Sequence, residues 1–258
     1  MLLLVHGSRD HARSWDAVAL AFRDGWRVIA PDLRGHGDSD WSPDGAYLSS
    51  YNLLDLANLI DQLEAEQICL VGHSFGGNIS ARYAATFPER VRKLVLVDGI
   101  GPSPGNFDDW ARQGSVVRSR QWIGQRRAVA SKRPLRFTTF EDAVARYAAG
   151  NPHLRPEQVE HLARHALRPF DDGWGWKADP LVVAFPPEDF MAETSAVWDA
   201  IACPCLLFWG AKSWTTNPEV DGRAAHFRDH RVVVYENAGH WLHHERVDDF
   251  VAELRAFL

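Results

Sequence analysis

Short runs of apolar residues alternate along this chain with longer amphipathic segments. The apolar runs lie at residues 2–5, 27–30, 68–71, 94–97, 206–209 and 232–235. Near-continuous apolar character, rather than strict alternation, is typical of strands that are covered on both faces, as in a parallel sheet. Between these runs, leucine and other apolar residues recur at helical spacing, for example along residues 51–63 and 247–258. The pattern therefore predicts an α/β fold with a mostly parallel, doubly wound sheet.

The alternation of strand and helix patterns breaks between residues 101 and 194. This stretch is rich in tryptophan, arginine and proline, has helical patches at residues 141–149 and 156–166, and shows no convincing strand pattern. We therefore predict a core domain made of residues 1–100 and 195–258, with a helical cap inserted at residues 101–194. The aromatic rings of the cap could wall a substrate pocket or anchor the cap on the sheet, and the sequence leaves both interpretations open.

Composition narrows the class of protein without changing this picture. The chain has 258 residues, of which 46% are hydrophobic and 24% charged, with a net charge of −6. These values are ordinary for a globular protein, and the absence of a dominant basic block argues against a nucleic-acid partner. No apolar run approaches the roughly 20 residues of a membrane helix. Because residues 1–5 also lack the basic start of a signal peptide, we expect a cytoplasmic protein with no membrane partner. Its oligomeric state is left open.

The sharpest chemical signal is the segment Gly-His-Ser-Phe-Gly at residues 72–76. It lies between a predicted strand and a helical stretch at residues 78–86, and G-x-S-x-G in that context is the signature of a nucleophile elbow. Such a turn presents the serine hydroxyl at the edge of the sheet, where the helix N-terminus favours developing negative charge. Ser74 is therefore the candidate nucleophile, and an ordinary serine in a glycine-rich turn is the alternative.

With three further segments, the chain resembles the α/β-hydrolase superfamily over nearly its whole length. The segments are His6-Gly7 after the first strand, PDLRGHGDS at residues 31–39 after the second, and Ala238-Gly239-His240 after the last. The resemblance implies an α/β-hydrolase fold with a helical cap. Members usually have two more strands before the first strand seen here. We therefore expect that those strands are absent or that the sequence starts late, with missing residues leaving a bare sheet edge beside residues 1–5.

A serine hydroxyl is a weak nucleophile that needs a general base. The resemblance assigns this role to His240, which follows the last predicted strand and opens the C-terminal helical region. His243 and His244 lie close by but lack this strand-exit context. Three histidines within five residues could also indicate a metal, but no H-E-x-x-H motif is present, so we predict no metal site.

The acid that orients this base is less obvious, because Ser213 stands where many relatives carry an aspartate. Some relatives, notably some haloalkane dehalogenases, place the acid at the end of the strand that follows the nucleophile helix. That position implies Asp98 as the acid here. Glu219, Asp221 and a Ser–His dyad without an acid remain alternatives.

The resemblance also implies an oxyanion hole formed by the backbone N–H groups of Phe75 and Ser8, aimed at the developing charge. Trp15 and Trp241 are the predicted substrate-binding residues, because they follow the oxyanion loop and the candidate base. His73 is expected to line the pocket or to brace it, with its side chain directed away from the nucleophile.

The identity of the nucleophile narrows the expected reaction. Relatives that open epoxides or displace halide typically use aspartate, whereas serine implies acyl transfer through an acyl-enzyme, with no cofactor. The expected function is a carboxylesterase whose partner is a small to medium apolar ester. Carbon–carbon hydrolases, lactonases, perhydrolases and thioesterases use the same triad and remain alternatives. A non-catalytic ligand-binding member is the alternative of another class, since a serine stands at the usual acid position.

Overall fold

The computed structural model describes residues 1–132, 134–186 and 194–258, without the side chains of residues 107, 110 and 111. In this part of the chain the strands are β1 (Leu2–Val5), β2 (Val28–Ile29), β3 (Ile68–His73), β4 (Val91–Val97), β5 (Leu167–Phe170), β6 (Gly173–Trp176), β7 (Cys205–Gly210) and β8 (His230–Tyr235). Six of them form one sheet in the order β2-β1-β3-β4-β7-β8. Every neighbouring pair in that sheet is parallel, which confirms the predicted α/β fold.

The sheet is buried on both faces, as the continuous apolar runs predict. Along β1, Leu3 and Val5 belong to one hydrophobic cluster, whereas Leu2 and Leu4 belong to another. Successive side chains of a strand point to opposite faces, so each cluster covers one face of the sheet.

Helices cover both faces of this sheet and continue into the inserted region. They are α1 (Asp16–Phe22), α2 (Ser49–Gln62), α3 (Phe75–Thr86), α4 (Pro104–Gln113), α5 (Ser115–Ala130), α6 (Phe140–Gly150), α7 (Pro156–Ala166), α8 (Thr194–Ala200), α9 (Leu242–Glu245) and α10 (Val247–Phe257). Within the described residues, no helix combines the length and apolar character needed to cross a membrane.

The position of β1 corrects one expectation. For the case of missing N-terminal residues we expected a bare sheet edge beside residues 1–5, but β1 is paired with β2 on one side and with β3 on the other. The edge on this side is the two-residue strand β2 instead. The sequence places β1 before β2, but the crossover to β3 puts β1 in the interior, and strand order is not visible in an apolar pattern.

The inserted region also differs from the expectation of helices alone, because β5 and β6 form an antiparallel hairpin. Glycine and proline are depleted in strands. The two strands have the sequences Leu-Arg-Pro-Phe and Gly-Trp-Gly-Trp, so neither shows the residue pattern that predicts a strand. Tertiary contacts stabilise the hairpin instead. The Arg136 guanidinium lies 3.6 Å from the centre of the Phe170 ring, and Phe137 packs edge-on against Trp176 at 5.6 Å.

Aromatic side chains connect the insertion to the sheet domain. Within the insertion, the Trp122 indole N–H donates to the Ala184 carbonyl at 2.9 Å. Phe185 of the insertion packs against Phe75 of the core with ring centres 5.2 Å apart. From the core side, the Trp41 indole N–H donates to the carbonyl of Lys177 at 2.6 Å. These contacts support the anchoring interpretation, and the division into a core of residues 1–100 and 195–258 and a cap of residues 101–194 stays a proposal.

Candidate active site

The turn at Ser74 has the geometry that a nucleophile elbow requires. Ser74 directly follows β3, precedes α3, and adopts φ 53° and ψ −120°, in a region that side-chain-bearing residues rarely occupy. The turn is tight because its two glycines lie against backbone: a methyl group on Gly72 would lie 2.5 Å from the Gly76 carbonyl oxygen. On Gly76, it would lie 2.5 Å from the Val5 oxygen. Ser74 is thus held at the carboxyl edge of the sheet, at the positive end of the α3 dipole.

Asp98 and His240 meet although they are far apart in sequence. Asp98 follows β4, His240 follows β8, and the carboxylate oxygen Oδ2 of Asp98 lies 2.5 Å from Nδ1 of His240. The two side chains are 2% and 5% exposed, so this contact is shielded from water. Asp98 has φ 46°, a strained conformation for a residue with a side chain. The contact fixes the His240 ring with Nδ1 toward the carboxylate, which leaves Nε2 as the nitrogen available to a nucleophile.

Two hydroxyl side chains complete the surroundings of the Asp98 carboxylate. Ser213 Oγ donates to Oδ2 at 2.5 Å, and Thr215 Oγ1 donates to Oδ1. Both residues lie on the loop after β7, so the serine at the usual acid position donates to Asp98, the predicted acid. Sequence reasoning noted Ser213 only as a departure from the pattern and missed Thr215. The available signal was the Ser-x-Thr spacing at residues 213–215, at the usual acid position.

The loop at residues 6–8 lies against the nucleophile. A methyl group on Gly7 would lie 3.0 Å from Cβ of Ser74. His6 braces this loop: its Nε2 accepts the Leu33 N–H at 2.9 Å, so Nδ1 carries the proton and donates to the Gly7 carbonyl at 2.7 Å. Burial holds the pKa of His6 well below its usual value, so the ring is neutral. The oxyanion role of the Phe75 and Ser8 N–H groups stays a prediction.

A cavity of about 440 Å³ opens over these groups. Its walls include Ser74, Phe75, Asn78, Asp98, Asn106, Trp214, Thr215, Arg223 and His240. Ser74 and His240 thus share one cavity. Its wall combines rings with amide, hydroxyl and guanidinium groups, and the two large aromatic residues on it, Phe75 and Trp214, lie outside residues 101–194.

Two of the three predicted substrate-binding residues are buried away from this cavity. Trp15 is fully buried in the core and stacks on His243 at 4.7 Å, and His73 is 1% exposed. Neither residue lines the cavity, so the structure offers no support for their predicted contact with substrate. Trp241 packs edge-on against His240 at 5.1 Å, and its substrate-binding role stays a prediction.

Trp214 is the aromatic residue of the cavity wall that sequence reasoning passed over. It is 69% exposed, and its ring centre lies 4.0 Å from that of His240. The loop after β7 that holds Ser213 and Thr215 also presents this ring beside the candidate base.

His73 is buried beside His240 and holds its backbone by a hydrogen bond. Its Nε2–H donates to the backbone carbonyl of His240 at 3.0 Å, and the two rings lie 4.7 Å apart. Burial, and secondarily the neighbouring His240, hold the pKa of His73 well below its usual value. His73 is therefore a neutral brace beneath the site, consistent with the expectation that it does not point toward the nucleophile.

Comparison with known proteins agrees with this geometry. Residues 1–247 match the family model of the alpha/beta hydrolase fold. Esterase Rv0045c of Mycobacterium tuberculosis is 30% identical over 247 residues, which cover 93% of this chain and 76% of the esterase. A serine hydrolase-like protein of Danio rerio is 29% identical over 182 residues, covering 69% of this chain but only 54% of that protein.

A solved structure, that of E-2-(acetamidomethylene)succinate hydrolase, superposes with a TM-score of 0.82 and covers 100% of this chain and 90% of its own. Its sequence identity is 22%, so it supports the fold alone. The match of the family model covers most of the chain. The chain therefore belongs to the α/β-hydrolase fold family.

Proposed function

We propose that this protein is a serine esterase that hydrolyses small to medium carboxylic esters through an acyl-enzyme. The observation that carries the proposal is the buried 2.5 Å contact between Asp98 and His240, at a cavity that His240 shares with the strained Ser74. A carboxylate-oriented histidine beside a serine on an elbow is the arrangement needed for acyl transfer. The similarity to a mycobacterial esterase supports the same reaction.

In the proposed mechanism, Ser74 Oγ attacks the ester carbonyl carbon while His240 Nε2 takes the hydroxyl proton. Asp98 stabilises the resulting imidazolium through Nδ1, and the Phe75 and Ser8 N–H groups bind the oxyanion. Collapse of the tetrahedral intermediate passes the proton from His240 to the leaving alkoxide and forms the acyl-enzyme. Water then attacks the acyl-enzyme with His240 again as base, which releases the acid and restores Ser74.

The size of the cavity supports the substrate class. Pockets for small organic molecules enclose roughly 300–1,000 Å³, and the volume of about 440 Å³ lies near the lower end of that range. Phe75 and Trp214 offer apolar surface to an acyl or aryl group. Asn78 and Asn106, on the same wall, offer amide groups to a polar part of the substrate.

Labelling with a fluorophosphonate, read by intact mass and peptide mapping, tests the nucleophile directly. We expect one adduct per chain on Ser74, no adduct in Ser74→Ala, and an unchanged adduct in Ser115→Ala, which removes an exposed serine on the cap. The wild type and Ser115→Ala should hydrolyse p-nitrophenyl acetate, butyrate and octanoate, and Ser74→Ala should not. The shorter esters should be hydrolysed faster.

Two outcomes would overturn parts of the proposal. A folded wild-type protein that forms no adduct is not a serine hydrolase, and the ligand-binding interpretation would take its place. An adduct on Ser74 without ester turnover would retain the nucleophile but exclude the esterase. A panel of lactones, thioesters and vinylogous 1,5-diketones would then separate the other reactions of this triad.

A further inference from the structure

A second group of chemically active side chains lies buried behind His240, outside the proposed reaction. Asp10, His73 and His243 each direct one ligand-type atom to a common point, and these atoms all lie within 4.8 Å of one another. The three residues come from the loop after β1, from the end of β3 and from α9. A motif search along one helix could not find this group, which is why the sequence predicted no metal site.

The polar atoms of this group lack partners. Oδ2 of Asp10, Nδ1 of His73 and both ring nitrogens of His243 are buried and make no hydrogen bond to any described residue. His73 and His243 are 1% and 2% exposed, so their ring nitrogens are not hydrogen-bonded to solvent at the surface. Buried polar groups are nearly always paired, and a cluster of unpaired ones calls for an explanation.

Hydrogen bonding has already set His73 up as a ligand. Its Nε2–H donates to the His240 carbonyl, so Nδ1 carries the free lone pair, and this atom is buried and unpaired. Histidine ligands of metals characteristically donate their other N–H to a backbone carbonyl or a carboxylate in this way. His243 is held in place by stacking on Trp15.

We propose that Asp10, His73 and His243 form a binding site for a divalent transition-metal ion of the Zn²⁺ class. Two neutral imidazoles and one carboxylate match the N and O ligands that Zn²⁺ prefers, whereas Mg²⁺ and Ca²⁺ favour oxygen alone. Ligands about 2.1 Å from a tetrahedral ion lie about 3.4 Å apart, so the three side chains must draw together by about an ångström.

A metal bound at this site would affect the proposed active site through His73. This residue precedes Ser74 in the chain and holds the backbone of His240 through Nε2. A metal that draws His73 Nδ1 toward His243 therefore acts on the residues that position both the nucleophile and the base. We expect occupancy to slow hydrolysis, an effect that rests on the proposed function, whereas metal binding itself does not.

The chain supplies a matched control on its surface. Asp16, His161 and His165 also bring ligand atoms within 4.8 Å of one another. There, however, the Asp16 carboxylate already accepts two hydrogen bonds from Arg13 and lies 3.1 Å from His161 Nε2. A ligand set whose members are paired with one another is expected to bind a metal more weakly than an unpaired one.

Calorimetric titration of chelator-treated protein with ZnCl₂ tests binding, and the visible absorption of added Co²⁺ reports the coordination. We expect one ion per chain in the wild type and in His165→Gln. Asp10→Asn and His243→Gln should bind at least about tenfold more weakly, since loss of even an outer-shell partner costs 10–100-fold at other sites. Asp10→Asn conserves shape, so it carries the test where His243→Gln does not fold.

Anomalous diffraction at the zinc edge from soaked wild-type crystals locates the ion without any variant. A peak between Asp10, His73 and His243 supports the proposal. A peak only at Asp16, His161 and His165, or no peak and no calorimetric binding at millimolar Zn²⁺, overturns it. Inhibition by Zn²⁺ that Asp10→Asn relieves would establish the link to His240. A metal-free wild type without esterase activity would refute the proposed function but leave the binding result intact.

Discussion

Replacing Asp98 with asparagine tests the proposed triad most directly, because the hydrogen bonds around this carboxylate decide what is lost. Oδ2 faces His240 Nδ1 and Ser213 Oγ, and Oδ1 faces Thr215 Oγ1. In the Asp98→Asn variant, the amide oxygen can keep the place of Oδ2 while the amide N–H donates to Thr215. The Thr215 hydroxyl can then turn toward Ser213 Oγ, 3.2 Å away. The His240 tautomer is therefore retained, and only the negative charge disappears.

The size of the effect follows from that charge. Two opposite unit charges about 4 Å apart interact by about 4 kcal/mol at an effective dielectric constant of 20. Asp98 and His240 are both nearly fully buried, so little of this is screened by water. Since each 1.36 kcal/mol is tenfold in rate, we expect kcat to fall about 1,000-fold. This is a smaller loss than the roughly 10,000-fold seen where asparagine imposes the wrong tautomer.

The assay is steady-state hydrolysis of p-nitrophenyl butyrate by the wild type, Asp98→Asn and Ser213→Ala. Removing the Ser213 hydroxyl deletes one hydrogen bond to a charged group, worth about 1.5–3 kcal/mol. This bond is present in the ground state as well as in the transition state, and Ser213→Ala keeps the negative charge of Asp98, so it should lower kcat by less than Asp98→Asn. If Ser213→Ala lost more activity than Asp98→Asn, or if Asp98→Asn kept nearly full activity, the assignment of Asp98 as the acid would be refuted. Circular dichroism of each variant controls for folding.

Four further predictions address the acid position, the cavity wall, the elbow and the buried histidines. Adding Ser213→Asp to Asp98→Ser should restore kcat about tenfold or more over Asp98→Ser alone, as a gain of about 1.4 kcal/mol would give; no recovery would mean that the β7 loop cannot present a carboxylate to His240. Trp214→Ala should raise KM for phenyl esters about five- to tenfold, for roughly 1 kcal/mol of lost ring contact, while Val220→Ala, which truncates an exposed side chain outside the cavity wall, should leave KM unchanged. Gly76→Ala should lower the thermal midpoint sharply, because its methyl group would lie 2.3 Å from the His6 carbonyl oxygen, whereas Gly124→Ala, with open space in mid-helix, should not. The free energy of unfolding should fall by more than about 1 kcal/mol per pH unit as pH drops from 6 to 4.5. Burial lowers the pKa of His11 to about 4 and that of His244 to about 3, and holds that of His6 well below its usual value, so these rings take up protons only on unfolding. Asp10 opposes this trend, since burial raises its pKa to about 7; urea unfolding at four pH values measures the net slope, and a flat profile would contradict the reasoning.

The strands and the elbow could be predicted because their signals are local. Residues 68–71 are continuously apolar, and a strand, a tight turn and a helix follow one another within the few residues around Ser74. The hairpin β5–β6 could not be predicted, because its stability comes from contacts such as that of Arg136 with Phe170 rather than from strand propensity. Strand order was likewise invisible, so β1 was expected at an edge that β2 occupies.

Pocket residues were predicted less well, because distance along the chain from a catalytic segment does not tell which way a ring points. Trp15 follows the oxyanion loop but begins a helix that packs on the sheet, and its ring is fully buried against His243 and Phe250. Trp214 follows Ser213 on the loop after β7 and is left exposed beside His240. Whether a tryptophan is buried depends on tertiary packing, and the sequence of neither loop reveals that packing.

The same tertiary packing explains how the acid can lie at Asp98 when the usual position holds Ser213. β4 and β7 are neighbours in the sheet, with Val97 opposite Phe208, and the Asp98 N–H donates to the Phe208 carbonyl at 2.9 Å. The carboxyl ends of the two strands therefore lie side by side, and both face the loop after β8 that holds His240. A carboxylate on either strand can reach the same imidazole nitrogen, while hydroxyls on the other strand's loop donate to it. The fold thus fixes where a carboxylate must lie in space and leaves open which strand supplies it.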